Sequence, residues 1–317
     1  MARTDIWTES DIPNQSGRTV LVTGANSGLG LHTARVLAAR GATVLLACRS
    51  PERGKQALAT IAAGAATEPQ LVELDLADLA SVRRAAADVR DRTGDGLDIL
   101  VNNAGVMAPP HETTRDGFEL QFGTNHLGHA ALTWLLLPAL RARQHARVVT
   151  VSSLAARAGR IDTADPHFEH RRYNPVAAYG QSKLANQAFA LELDRRLRAA
   201  GDDVVSVAAH PGYSDTGLAP AMARAQRNGV LRTVMNVGGR LGGLLLAQNT
   251  EQGAAPQLYA ATAPGVSGGD YFGPLGPGQM RGRPGTVRPL ATATDQAAGT
   301  ALWELTAELT GVTPDPA

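Results

Sequence analysis

Short apolar runs alternate with stretches of helical period along the first two-thirds of the chain. Arg18–Gly24, reading RTVLVTG, is a compact run of strand length, and the pattern predicts a helix over Leu29–Arg40. Thr43–Cys48 is a second such run, with a helix over Glu52–Ala63. Gln70–Leu74, Leu97–Asn102, Arg147–Ser152 and Val204–Ala209 are four more strands, and helices are expected over Leu79–Arg92, Arg115–Arg143 and Val176–Ala199. Strands that are apolar throughout are covered on both faces. The alternation therefore predicts an α/β fold, a mostly parallel sheet of about seven strands flanked by helices. Right-handed crossovers make it doubly wound. Residues 17–317 are expected to form a single domain behind an N-terminal tail of residues 1–16. Past residue 210 the periodicity weakens. Residues 212–246 are expected to form a substrate lid, and residues 264–317 a C-terminal extension closed by an amphipathic helix near Asp295–Leu309.

Composition narrows the function. The 317 residues carry 30 basic and 29 acidic side chains, a net charge of +1, which lacks the basic excess of a general nucleic-acid binder. A single cysteine, Cys48, permits neither an intrachain disulfide nor a cysteine zinc cluster. Asp5, Glu9 and Asp11 interrupt the N-terminus, which does not read as a signal peptide. The apolar run Ala130–Leu140 contains Pro138 and falls far short of the roughly 20 residues that span a bilayer. No membrane span and a cytoplasmic protein are expected. His167 and His170 stand three apart in the polar segment Asp162–Arg172, which reads as a surface loop, and no metal site is expected.

Candidate chemistry gathers where strands end. Gly24, Asn26, Ser27, Gly28, Leu29 and Gly30 lie where the first strand becomes the first helix. Glycines there let the backbone approach a pyrophosphate, and the free N–H groups of the helix N-terminus bind it, as in Rossmann-type domains. The second strand ends in Arg49 with no carboxylate. An arginine at that edge suits the 2′-phosphate of NADP, so NADP(H) is favoured over NAD(H). Tyr179 and Lys183 stand four apart in a helical stretch, on one face. Only one other lysine, Lys55, occurs in the chain. An ammonium beside a phenol is expected to lower the phenol's pKa from about 10 and make a usable acid and base. Ser152 and Ser153 end the fifth strand, and adjacent strand residues point oppositely, so Ser152 is the runner-up to Ser153. Asn102, Ala104 and Gly105 follow the fourth strand, and Pro211, Gly212 and Thr216 follow the sixth. His126 and His129 read as packing or capping groups.

This joint pattern resembles the short-chain dehydrogenase/reductase family over roughly residues 17 to 262, and TGANSGLG, ACR, TNHLGH and YGQSKLAN are most similar to its retinol dehydrogenase-like branch. The resemblance implies Tyr179 as general acid or base and Lys183 as its modulator and the holder of the nicotinamide ribose. It implies Ser153 as the carbonyl's hydrogen-bond donor and Asn125 as holder of a water that links Lys183 to solvent. Asp75 and Leu76 would meet the adenine. Asn102, Ala104 and Gly105 would line the adenosine side, and Pro211, Gly212 and Thr216 the nicotinamide end. Ser27 stands where many NADP-using relatives carry a basic residue, so the cofactor preference rests on Arg49. Apolar residues between Gly212 and Leu246 suit a small hydrophobic carbonyl or alcohol substrate. Homo-oligomerisation is left open. Two competing readings are a catalytically idle dinucleotide-sensing protein on the same fold and a methyltransferase. The missing carboxylate at the second strand end counts against the methyltransferase.

Overall fold

Side-chain parity along the strands builds two cores. In a computed structural model, which describes residues 7–213 and 248–316, Val20 and Val22 of β1 (Thr19–Thr23) pack on one side of the sheet and Leu21 on the other. β2 (Thr43–Cys48) divides the same way, with Val44, Leu46 and Cys48 against Leu45 and Ala47. So does β4 (Ile99–Asn102), with Ile99 and Val101 against Leu100. The first face is covered by α1 (Gly28–Ala39) and α2 (Pro51–Ala62). The second is covered by α3 (Leu79–Thr93) and helices further along.

β3 (Gln70–Glu73), β5 (Arg147–Val151), β6 (Val205–Ala209), β7 (Tyr271–Pro274) and β8 (Pro284–Thr286) complete one sheet in the order β3-β2-β1-β4-β5-β6-β7-β8. Every pairing is parallel except β7 with β8. The fold is the doubly wound α/β domain that the alternation implied, with eight strands among the described residues. β7 and β8 are four and three residues long and lie in a Gly/Pro-rich stretch, too short to show a period. Winding reverses between β1 and β4, so the carboxyl ends of these strands open a crevice, the switch point at which such sheets bind ligands.

The expected helix over Arg115–Arg143 starts later and is broken. α4 (Leu120–Phe122) begins where the Glu119 carboxylate accepts the N–H groups of Gln121 and Phe122 at 3.0 and 2.7 Å. One π-helical turn, Gly123–Leu127, follows, and then α5 (Gly128–Arg141). Before Glu119 the chain forms a tight loop closed by a bridge between Thr113 and Glu119. α6 (Pro175–Ala199) is capped by Asn174, whose side chain accepts from Val176 and Ala177. α7 (Thr250–Thr262) was not anticipated. It is buried on most sides, so no polar stripe marks it. α8 (Gln296–Thr310) is the expected amphipathic closing helix. The N-terminal stretch lies on the domain, with Ile12 buried and Trp7 edge-on to Tyr259. Of the expected lid, Gly212 and Tyr213 are described, and the remainder, Thr216 included, lies outside the described residues. Among the described residues no helix is long and apolar enough to cross a membrane.

Trp303 ties α8 to the second core. It stacks on Phe189 at 5.5 Å, meets Trp134 edge-on at 4.8 Å and carries the Arg196 guanidinium over its ring. Trp303→Ala is expected to cost about 3–5 kcal/mol, the usual range for emptying a buried aromatic site. Equilibrium unfolding in urea checks this, and a loss under about 1 kcal/mol, the scale of ordinary mutations, would mean that α8 is not part of the cooperative core.

Candidate active site

The crevice at the switch point is a groove lined by Gly24, Asn26–Gly30, Ala47, Arg49, Leu74, Asp75, Leu76, Asn103–Met107, Thr124, Val151, Ser152, Tyr179, Lys183 and Pro211. Its base is the strand-to-helix turn. Gly24 and Gly28 sit at φ +66° and +55°, where a side chain would strain the backbone. A Cβ on Gly30 would lie 2.5 Å from the Gly24 carbonyl oxygen and from Asn103 Nδ2. Ser27 precedes α1 without capping it by its side chain, which leaves the first N–H groups of the helix for an anion. Arg49 is exposed at the groove's edge and makes no hydrogen bond or ion pair among the described residues. Asp75 Oδ1 accepts from the Ala77 N–H at 3.0 Å. A narrow turn at one end, an uncommitted arginine at the second strand and a carboxylate at the third together fit a dinucleotide.

Asn102 needs correction. It continues the parity of Leu100, so its side chain turns toward α5 and donates to Thr133 Oγ1 at 2.9 Å, fully buried. Asn103 takes the place in the groove. Its amide donates to the Thr23 carbonyl at 2.8 Å and accepts from Gln257 on α7. Strand parity was the signal that could have told the two apart. Gly105 comes so close to the centre of the site that a Cβ would meet Asn125 Oδ1 at 3.2 Å and Lys183 Nζ at 3.4 Å. Gly212, at φ +71°, has the Met280 carbonyl where a Cβ would stand. Leu29, Leu76, Ala104 and Pro211 line the groove, as do Ala47, Met107 and Thr124, which the sequence did not single out.

Tyr179 and Lys183 lie one turn apart on α6 and are both buried, 7% and 3% exposed. Lys183 Nζ donates to the Val151 carbonyl at 3.0 Å and stands 5.9 Å from the Tyr179 ring centre. Burial lowers the Lys183 ammonium from 10.5 to about 8. The expectation of a phenol ionising below 10 is not met here. Burial pushes Tyr179 up to about 12, and a hydrogen bond with Ser153 offsets only part of that. The phenol is therefore protonated throughout the neutral range, a donor rather than a phenolate. Ser152 points the other way and donates to the Lys183 carbonyl at 2.7 Å.

Asn125 sits in the π-helical turn. Its side chain exchanges two hydrogen bonds with the backbone of Val106, at 2.8 and 2.9 Å, and donates to Ser182 Oγ. The side chain is thus fully engaged within the protein. The carbonyl of Asn125 is met by His129 Nδ1 at 2.9 Å, and His129 Nε2 lies 2.9 Å from Thr23 Oγ1. The Asn125 carbonyl can only accept, so Nε2 of the neutral ring is left to accept from the Thr23 hydroxyl, which also reaches the Val101 carbonyl at 3.3 Å and itself accepts the N–H groups of Asn103 and Ala104. His129 then carries its proton on Nδ1 and donates it to Asn125. Burial first, and then the Lys183 charge, keep it neutral, with a pKa lowered to about 3. His126 bonds Thr306 of α8 and is neutral for the same main reason. His167 accepts from the Glu119 N–H, and no metal-binding group of His, Cys, Asp and Glu exists among the described residues.

The chain matches the family model for short chain dehydrogenases over residues 18–227. Polyprenol dehydrogenase of Mus musculus is 43% identical over 305 residues, 95% of this chain and 86% of that protein. Retinol dehydrogenase 13 of Homo sapiens is 40% identical over 301 residues, 93% of this chain and 85% of that one. A crystal structure of an uncharacterised protein from Mycobacterium paratuberculosis is 45% identical, covers 97% of this chain and 98% of its own, and superposes with a TM-score of 0.79.

The buried cation has a testable cost. In the folded protein Lys183 holds its proton less well than in the unfolded chain, so the penalty is full below pH 8 and fades as pH rises toward 10.5. Lys183→Met removes it without orphaning Val151, whose carbonyl keeps Asn186 as donor at 3.1 Å. The variant should melt several degrees higher at pH 7, given that ~1 kcal/mol shifts Tm by about 2–4 °C in larger domains. The gain should shrink above pH 8. A lower Tm at pH 7 than the unmodified protein would refute a buried, strained ammonium.

Proposed function

We infer that this chain, which belongs to the short-chain dehydrogenase/reductase family and is accordingly an oxidoreductase of CH–OH and C=O groups, uses NADP(H) and acts on a hydrophobic aldehyde, ketone or alcohol. The observation that carries the reading is the Tyr179 phenol and the Lys183 ammonium, buried one turn apart on α6 at the groove, with Ser153 near enough to the phenol to hold its pKa down in part. When bound, NADP(H) gives or takes the hydride, and the protein supplies position and proton.

In the direction of reduction, Ser153 and Tyr179 hold the substrate's carbonyl oxygen between them. Charge develops on that oxygen, and Tyr179, protonated up to about pH 12, donates its phenolic proton. The resulting phenolate lies near the Lys183 ammonium, which remains charged below about pH 8. In oxidation the same groups act in reverse. Asn125 holds the loop at Val106 beside Lys183, and Gly105 gives the ribose side its clearance. Gly24 to Gly30 and the N-terminus of α1 receive the pyrophosphate, and Asp75 and Leu76 receive the adenine. Arg49 supports the choice of NADP(H), because its fork is uncommitted and no carboxylate stands at the end of β2 to favour a bare ribose. The names of the polyprenol and retinol dehydrogenase relatives support a lipophilic substrate. Family membership disposes of the methyltransferase reading, and the complete Ser153, Tyr179, Lys183 set argues against an idle sensor.

NADPH is expected to bind about ten- to a hundredfold more tightly than NADH, the worth of a charge-assisted arginine–phosphate contact. Arg49→Ala should remove most of that difference in a fluorescence titration. Equal affinities in the unmodified protein would overturn the NADP assignment. Tyr179→Phe should lower turnover by at least the 10²–10⁴-fold typical of a lost general acid while leaving NADPH affinity nearly unchanged. A phenylalanine variant that keeps most of its turnover would remove Tyr179 from the role of proton donor.

A further inference from the structure

Ser153 is a wall of a second cavity, about 270 Å³, distinct from the dinucleotide groove. Leu154 and Leu290 give it an apolar side, and Arg157, Arg288 and Gln279 a polar one. No Asp or Glu lines it among the described residues. Between Asp270 and Asp295 the chain contains three arginines and no acid. Arg157 spends its donors on neutral acceptors, the Gly278 carbonyl at 3.0 Å and Gln279 Oε1 at 2.8 Å. Arg288 is exposed and makes no hydrogen bond or ion pair among the described residues. Two guanidinium charges thus border a cavity to which the described residues bring no counter-charge. The field of Arg157 is felt nearby. His210, held neutral mainly by burial and lowered to about 4, is pushed further down by Arg157.

An apolar ligand filling this cavity would take water from Arg288 and give no hydrogen bond in return, whereas an anion would replace that water. A guanidinium fork does match a carboxylate, with two parallel hydrogen bonds. We propose that the substrate is an aliphatic carbonyl or alcohol compound that also bears a carboxylate, which Arg288 binds with Arg157 in support while the reacting oxygen lies at Ser153. The inference deepens the function proposed above and rests on its placement of the reacting carbonyl. The cavity lies near the lower end of the roughly 300–1,000 Å³ usual for small-molecule sites. That size suits a chain of medium length, run along Leu154 and Leu290, better than a bulky ring system.

The test is NADPH-dependent reduction of a medium-chain ω-oxo acid, its methyl ester and the parent aldehyde, each scored by kcat/KM. The acid should exceed the ester by about ten- to a hundredfold, the scale of a charge-assisted contact. Arg288→Gln should remove most of that ratio, Arg288→Lys should keep part of it, and added salt should lower it because the arginine is exposed. Equal turnover of acid and ester by the unmodified enzyme would overturn the anion site and leave the oxidoreductase reading intact. If none of the three is reduced, the proposed substrate class fails instead, and calorimetry on the NADP-loaded enzyme still decides the anion site. Binding of the saturated medium-chain acid that Arg288→Gln abolishes supports it. No binding, or binding that Arg288→Gln leaves unchanged, overturns it.

Discussion

One hydroxyl holds the switch point together. Thr23 Oγ1, at the end of β1, accepts the N–H groups of Asn103 and Ala104 just past β4, and its proton goes to His129 on α5. The two strand ends that must diverge to admit a dinucleotide are thereby fixed at a set spacing and linked to the helix beneath. His129 passes the constraint to Asn125, and Asn125 passes it through Val106 to the loop beside Lys183. Thr23, Asn125 and His129 are buried, so their side-chain donors and acceptors must be matched, and the matching leaves little freedom in how the loop can sit.

The π-helical turn belongs to the same constraint. A regular helix through Gly123–Leu127 would place the Asn125 side chain on a different bearing, away from Val106. The wider turn lets Asn125 exchange both bonds with one residue of the facing loop while its carbonyl meets His129. Such bulges are found disproportionately at functional sites, and here the cause is visible in the partners.

Much of this was legible from residues alone, and the reason is that strand parity and the switch-point rule are local. The alternation of apolar runs located six strands, and the glycine turn, Arg49, Asp75, Ser153, Tyr179 and Lys183 fall where strand ends and one helix face must bring them. What escaped was either too short or set by tertiary contact. β7 and β8 have no room for a period, and α7 has no polar face. Asn102 and Asn103 are identical in type, and only the register from Leu100 assigns one to α5 and the other to the groove. The start of α4 at Glu119 depends on a carboxylate cap, which competes with a helical pattern that reads back to Arg115. The electrostatics escaped for another reason. Spacing places a lysine near a tyrosine but says nothing of how dry the site is.

That dryness reconciles the two shifts. Burial disfavours whichever form of a group is charged, so it raises the phenol to about 12 and lowers the ammonium to about 8. Taken singly, each shift weakens the usual account of a lysine that ionises a tyrosine. Taken together they define a donor that stays loaded and a cation that is present only when the pH is below about 8. Among the described residues the ammonium has no carboxylate to neutralise it, only the Val151 carbonyl, so in the mechanism proposed above its field is free to stabilise the phenolate as the proton leaves. An ion-paired lysine would be more stable in the resting protein and less useful to the transition state. On that proposal the stability given up at Lys183 is stored where charge develops, as preorganised catalysis requires.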